Sequence, residues 1–259
     1  MLDKIIQNKL TEIEILKDNQ KYSINDLSRM NFQKREFKGS LMQKIKIGKN
    51  AIIAELKKCS PSKGLLNENL DIASFAKLYE QSGAACISVL TDKKFFHGTT
   101  NDLIVAKNSV DIPILRKDFI LDESQLIESK LIGADCILLI VACLSESKFK
   151  DLLDISKTLD LEVLVEVHDR KELDIALEYD SQIIGINNRN LKTFDVSIDT
   201  SLELCDVIAD NDVLIVSESG IKDIETIKKL NCKNINSFLV GESLIISSEP
   251  ESLLESLVG

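Results

Sequence analysis

A glutamate and a lysine stand two residues apart at the end of a short apolar run, in the stretch Ala51 to Leu66, AIIAELKKCSPSKGLL. Side chains in a strand alternate between faces, so Glu55 and Lys57 point the same way. Burying a carboxylate and an ammonium together is expensive unless something there uses them. The bland alternative is a structural ion pair closing the end of a sheet. Recurrence favours chemistry. Thr91-Asp92, Arg116-Lys117-Asp118, Glu166, Asn187 with Arg189, Ser217-Glu218-Ser219 and Gly241-Glu242-Ser243 also follow apolar runs or sit inside them. One polar strand end is usually a solvated terminus, but this many are hard to explain by solubility.

Lys117 follows Ile114-Leu115-Arg116 and precedes Asp118-Phe119. A Lys-Asp doublet is commonly a surface pair, whereas at a protein's active mouth an ammonium is a natural general acid toward a carbonyl oxygen. Glu166 lies in LEVLVEV, with Val163, Val165 and Val167 on one parity and Leu164 and His168 on its own. A carboxylate there is desolvated unless paired with a cation, so its pKa is tunable into a working range; a buried structural ion pair is the alternative. His168 reads as a strand-end packing residue rather than a catalyst. In Phe95-Phe96-His97-Gly98 the phenylalanines read as a flat aromatic wall and His97 as incidental.

The elements that must carry these residues are regular. Strand-length apolar runs occur at Ala51–Leu56, Cys86–Leu90, Ile112–Leu115, Cys136–Val141, Leu161–Val167, Ile183–Ile186, Val213–Val216 and Phe238–Val240. Helical periodicity fills the gaps, as in Ile72-Ala73-Phe75-Ala76-Leu78-Tyr79. Helices tend to end in Gly-Ala, as at Gly83-Ala84 and Gly133-Ala134, where glycine supplies a left-handed cap. Near-continuous hydrophobic strands separated by helices predict a parallel sheet covered on its outer face. Eight such units predict a closed (β/α)8 barrel, spanning 49–259. An open doubly wound sheet is the alternative, but its Gly-x-Gly-x-x-Gly turn is missing after the first strand. Ahead of the barrel, residues 1–48 form a helical extension, with helices at Leu2 to about Leu16 and near Ile24 to Arg29, expected over one mouth.

In such barrels the chemistry gathers at the carboxyl ends of the strands, and phosphate is often held by the loops after the seventh and eighth. The turns Ser217-Glu218-Ser219-Gly220-Ile221 and Val240-Gly241-Glu242-Ser243 fall there, and small residues let backbone N–H groups approach an anion. Plain turn glycines at Gly220 and Gly241 are the alternative reading. Ser60 and the Ser62-Lys63-Gly64 turn add donors from the first loop.

Composition narrows the field. A net charge of −10 over 259 residues argues against a nucleic-acid partner. The longest apolar run, Cys136 to Leu144, is too short to span a bilayer. The N-terminus carries charges throughout and lacks a secretory apolar core. Six cysteines without a C-x-x-C pair and two histidines make a zinc site improbable. The expected protein is cytoplasmic, reduced, monomeric and metal-free, with a small molecule as its partner.

The segments IIAELKKCSPSKG, ISVLTDKKFFHGTTNDL, PILRKDFILDESQLIESKLIGADCILLIVACL, LEVLVEVHD, IIGINNRNLKTF, VSESGI and FLVGESL resemble, in order, the indole-3-glycerol-phosphate synthase family of the tryptophan pathway. The resemblance implies a (β/α)8 barrel with an N-terminal helical extension and no cofactor. It implies conversion of 1-(2-carboxyphenylamino)-1-deoxyribulose 5-phosphate into indole-3-glycerol phosphate, with loss of carbon dioxide and water. By the same resemblance Lys117 is the general acid and Glu166 handles the proton transfer that completes dehydration. Lys57 pairs with the departing carboxylate, while Glu55 and Asn187 position the amine and hydroxyl groups. Ser219 and Glu218 line the pocket, Phe96 and Phe119 flank the aromatic ring, and Ser60, Gly220, Gly241 and Ser243 hold the phosphate with Arg189 in support. The chain departs from the family at Cys59, where a small residue such as alanine is usual, and at Asn190, where aspartate often follows the arginine. One barrel's length leaves no room for the fused isomerase domain of some relatives.

Two rival assignments fit the residues less well. A phosphoribosylanthranilate isomerase needs a cysteine and an aspartate at opposite strand ends, and neither is suitably placed. A catalytically silent phosphate-binding barrel should have lost Lys117 or Glu166, and both are present.

Overall fold

Eight parallel strands close into a ring in the computed structural model, which describes residues 1–191, 193–208 and 213–259. They are β1 Ala51–Leu56, β2 Cys86–Leu90, β3 Ile114–Lys117, β4 Cys136–Ile140, β5 Glu162–Val167, β6 Ile183–Asn187, β7 Leu214–Glu218 and β8 Ser237–Val240. Each pairs with the next, and β8 returns to β1 through Ile53↔Leu239 and Ala54↔Val240. This is the (β/α)8 barrel that the spacing predicts. Lys192, inside the motif IIGINNRNLKTF, lies outside the described residues.

Strand alternation sorts the core. Ile53, Cys86, Leu115, Leu138, Leu164 and Val216 point into the barrel. Their neighbours Ile52, Ile87 and Ile114 on one side, and Ile137, Val165 and Ile184 on the other, pack outward under the helices. Helix starts are fixed locally: Asp71, Asp122, Asp169 and Asp223 each accept a backbone N–H of the first turn. Gly83 and Gly133 follow helix ends at φ 93° and 88°, as their sequence context predicts.

Three strands run further toward their carboxyl ends than their apolar runs suggest. β3 begins after Pro113, which has no N–H for the ladder, and continues through Arg116 and Lys117 instead of spanning Ile112–Leu115. β6 reaches Asn187 and β7 reaches Glu218. The apolar criterion truncates strands where the working residues begin. β4 is shorter than expected, because Val141 enters a 3-10 turn, Val141–Cys143.

The extension holds three helices rather than two: α1 Leu2–Asp18, α2 Ile24–Leu27 and α3 Phe37–Lys46. α3 has little sequence signature, since it buries only Phe37 and Leu41. Both are fully buried in the cluster that includes Ala51, Cys86, Cys136 and Ile183, at the amino-terminal ends of the strands. Glu162, at the start of β5, caps α3 by accepting the N–H of Phe37 and that of Lys38 at 3.0 Å. α1 lies at the opposite mouth. The extension therefore closes both ends of the barrel, not one. Among the described residues no helix is long and apolar enough to cross a membrane.

Candidate active site

A cavity of about 690 Å³ opens at the carboxyl mouth, and all fourteen site residues expected from the sequence line it. Parity explains the convergence. Glu55 continues the inward face of Ile53, Lys117 that of Leu115, Glu166 that of Leu164 and Glu218 that of Val216. Elements far apart in the chain thus deliver their charged ends to one layer.

Lys117 is the hub. Its Nζ lies 2.5 Å from Glu218 Oε2 and 3.1 Å from Glu166 Oε2. It does not pair with Asp118, which turns outward to Arg116, Lys9 and Thr91. Lys57 Nζ sits 2.6 Å from Glu55 Oε1, the pair that the two-residue spacing suggests. Asn187 donates through Nδ2 to Glu166 Oε1 at 3.0 Å, while its Oδ1 accepts from Ser219 Oγ at 2.9 Å. Ser219 holds a left-handed backbone, φ 66°, uncommon for a non-glycine residue.

Glu55, Glu166 and Glu218 are 4%, 3% and 1% exposed, so their charges depend on partners rather than water. Burial pushes the Glu166 carboxyl up, but Lys117, His168 and Asn187 override it and hold the group well below the usual range. Burial of Glu218 is only partly offset by Lys117 and is reinforced by the Glu166 and Glu55 charges, so this carboxyl is pushed up to about 7. Its Oε1 has no hydrogen-bond partner among the described residues. Burial opposes the Lys117 charge, yet Glu218, Glu166 and Glu55 together hold its pKa above the ordinary lysine value. Lys117 thus holds its proton, while burial and the neighbouring carboxylates hold Glu218 above the usual carboxylate range.

Two glycines make room for this cluster. A Cβ on Gly185 would collide with the Glu218 carboxylate, and one on Gly241 with that of Glu55. Gly185 is absent from the sequence-derived site. Gly241, read there as a phosphate-turn glycine, has a steric duty as well.

At the rim toward β7 and β8, Gly220 has φ 83° and Ser243 Oγ donates to the Ile221 carbonyl at 2.6 Å, joining the two loops. Ser60 Oγ accepts from the N–H of Lys63 at 3.2 Å within the first loop. Arg189 Nη2 lies 3.5 Å from Glu242 Oε2, and Lys63 Nζ 3.7 Å from Glu242 Oε1. Across the mouth, the Phe96 and Phe119 rings stand 6.2 Å apart at 38°.

Sequence reasoning missed several residues. His168 Nε2 lies 3.2 Å from Glu166 Oε1 and its Nδ1 2.9 Å from Glu172 Oε2, so it braces the central carboxylate rather than simply packing a strand end. Its shared parity with Glu166 was the available signal. Leu2 and Ile5 of α1, and Phe194 and Val196 of the loop after β6, complete the wall. Helical spacing marked Leu2 and Ile5 as one face, but not what that face covers.

A closed strand ring with ionisable groups gathered at one mouth places the chain among (β/α)8-barrel enzymes. The likeness extends to a solved structure, KGPDC from Streptococcus mutans, with TM-score 0.59, 12% identity, and coverage of 81% of this chain and 95% of that one. That likeness concerns the fold alone. The family model for indole-3-glycerol phosphate synthase matches residues 2–257. The indole-3-glycerol phosphate synthase of Polaromonas naphthalenivorans is 49% identical over 225 residues, 87% of this chain and 85% of the relative. That of Laribacter hongkongensis is 41% identical over 258 residues, 99% and 98% of the two chains. The chain belongs to the indole-3-glycerol phosphate synthase family.

Proposed function

We propose that this chain is a decarboxylating lyase of tryptophan biosynthesis that closes the indole ring of 1-(2-carboxyphenylamino)-1-deoxyribulose 5-phosphate. The aromatic carbon bearing the carboxylate attacks the ketose carbonyl carbon, and Lys117 gives its proton to the carbonyl oxygen. The carboxylate leaves as carbon dioxide, and its bonding pair restores the aromatic ring. Glu166 takes a proton from the new ring and returns it to the departing hydroxyl, which leaves as water and completes indole-3-glycerol phosphate.

The carrying observation is the half-buried Lys117 between the buried Glu166 and Glu218, at the floor of a cavity with an aromatic wall on one side and a glycine-bearing rim on another. An ammonium fixed between two carboxylates is protonated and oriented before substrate arrives. Lys57 meets the departing carboxylate, Glu55 and Asn187 hold the amine and hydroxyls, and Glu218 and Ser219 line the floor. Phe96 and Phe119 flank the carboxyphenyl ring. Ser60, Gly220, Gly241 and Ser243 take the phosphate with Arg189 beside them. The chain acts as a cytoplasmic monomer, residues 49–259 forming the barrel domain and 1–48 its extension, without a cofactor, nucleic acid or membrane.

The test is direct. Purified protein given the carboxyphenylamino substrate should produce indole fluorescence and release carbon dioxide in equal amounts. Absence of both products would overturn the reading.

A further inference from the structure

We propose that Lys9 of α1 is a positioning residue for the aromatic wall, holding together the two turns that carry Phe96 and Phe119. This rests on the reading of those rings as the seat of the carboxyphenyl group.

Lys9 is 3% exposed, deeper than any other lysine among the described residues. Its Nζ lies 2.8 Å from Asp118 Oδ1, 3.1 Å from Asp92 Oδ2 and 2.7 Å from Glu12 Oε2. Glu12 belongs to the same helix and faces partly outward. The two aspartates belong to the barrel, and each has a second duty. Asp92 caps the short helix Lys93–Phe96, accepting the N–H of Phe95 at 2.8 Å through Oδ1. Phe96 ends that helix and lines the cavity. Asp118 accepts the N–H of Phe119 at 2.8 Å, and Phe119 lines the cavity beside Phe96. A single ammonium therefore bridges the carboxylate behind one ring and the carboxylate behind the other.

Charge makes the bridge consequential. Asp118 has Arg116 as a second cation, with Nη2 at 3.2 Å from Oδ2. Asp92 is fully buried, and its Oδ2 has no hydrogen-bond partner among the described residues. Lys9 is the only cation within 4 Å of it there. Without Lys9 the buried Asp92 carboxylate has no cation within 4 Å among the described residues and only Asp118 keeps one, Arg116; like charges in a low dielectric repel strongly. The turns would part, and the rings with them. A second tie, Lys94 Nζ to Asn8 Oδ1 at 3.0 Å, is exposed and carries less.

Anthranilate and inorganic phosphate serve as probes of the two halves of the cavity, each read as an inhibition constant in the turnover assay and, for anthranilate, also by its own fluorescence on binding. K9M should weaken anthranilate about fivefold or more, the lower end of a coupling between positioning group and site. It should raise KM more than it lowers kcat and leave the phosphate constant in place. K9M/D92N should recover most of the loss, because asparagine still caps the helix while the unbalanced charge is gone. An unchanged anthranilate constant in K9M, an equal rise in the phosphate constant, or a double variant no better than K9M would overturn the proposal. If K9M does not fold, recovery of folding and anthranilate binding in K9M/D92N supports it, and failure of both overturns it. Wild-type protein without turnover instead removes the substrate reading on which the wall's role depends.

Discussion

Lys117 Nζ stands 2.5 Å from Glu218 Oε2 at the floor of the barrel mouth, and the same ammonium also holds Glu166. Opposite charges in this enclosure fix each other's protonation. Removing the lysine strands Glu218 and leaves Glu166 with His168 as its cation.

Lys117→Met should therefore lower kcat by at least about a hundredfold, the low end for general acid catalysis, in a protein that still folds. Its melting temperature should fall more at pH 7 than at pH 5. The orphaned Glu218 carboxyl ionises with difficulty, so folding favours its protonated form and stability drains away as pH rises. A near-normal rate would remove the lysine from the mechanism.

His168 gives the opposite sign. Burial lowers its pKa, but Glu166 and Glu172 override burial and raise it from the ordinary 6.5 to about 10. A base held above its unfolded value adds stability that is complete below about pH 6.5 and is lost as pH rises through about 10. The stability gap between wild type and His168→Asn should be widest near pH 6 and nearly closed above pH 10. Urea titrations at several pH values between these limits measure it.

Two glycines separate function from folding. Gly241→Ala meets the Glu55 carboxylate, whose far end can withdraw, and the Glu55 Cβ at 3.0 Å, for which the backbone must give by a few tenths of an ångström. Turnover should fall sharply and the melting temperature only modestly. Gly98→Ala meets the backbone carbonyl of Leu90, which cannot withdraw. Loss of folded yield should come first there, seen by circular dichroism.

Phe37→Ala empties the plug at the amino-terminal mouth. Large-to-small changes of a fully buried phenylalanine cost about 3–5 kcal/mol, and chemical denaturation should show a loss of that order. Kinetic constants measured where the variant is folded should match wild type, because Phe37 packs at the opposite end of the barrel from Lys117.

The fold was legible because eight apolar runs carry both strand length and burial on two faces, a combination that few architectures can seat. The site was legible for a related reason. Lys117, Glu166 and Glu218 interrupt or end those runs on the inward parity, so topology alone brings them together. Other features carry no such mark. Among 32 lysines and arginines, nothing local shows that Lys9 is one of the few that are buried. Its partners Asp92 and Asp118 are more than eighty residues away in the chain. Gly185 looks like a strand glycine until the Glu218 carboxylate is seen filling the space beside it. α3 stayed hidden because a plug two side chains deep does not need a continuous apolar face.

Both lids of this barrel come from residues that leave the ribosome before the strands they cover. α3 needs the floor made by Cys86, Cys136 and Ile183, and α1 needs Asp92 and Asp118, all translated later. β8, among the last elements made, closes the ring beside β1. The early helices therefore wait with their apolar faces uncovered until those strands are made, an interval in which nascent chains are open to aggregation and to chaperones.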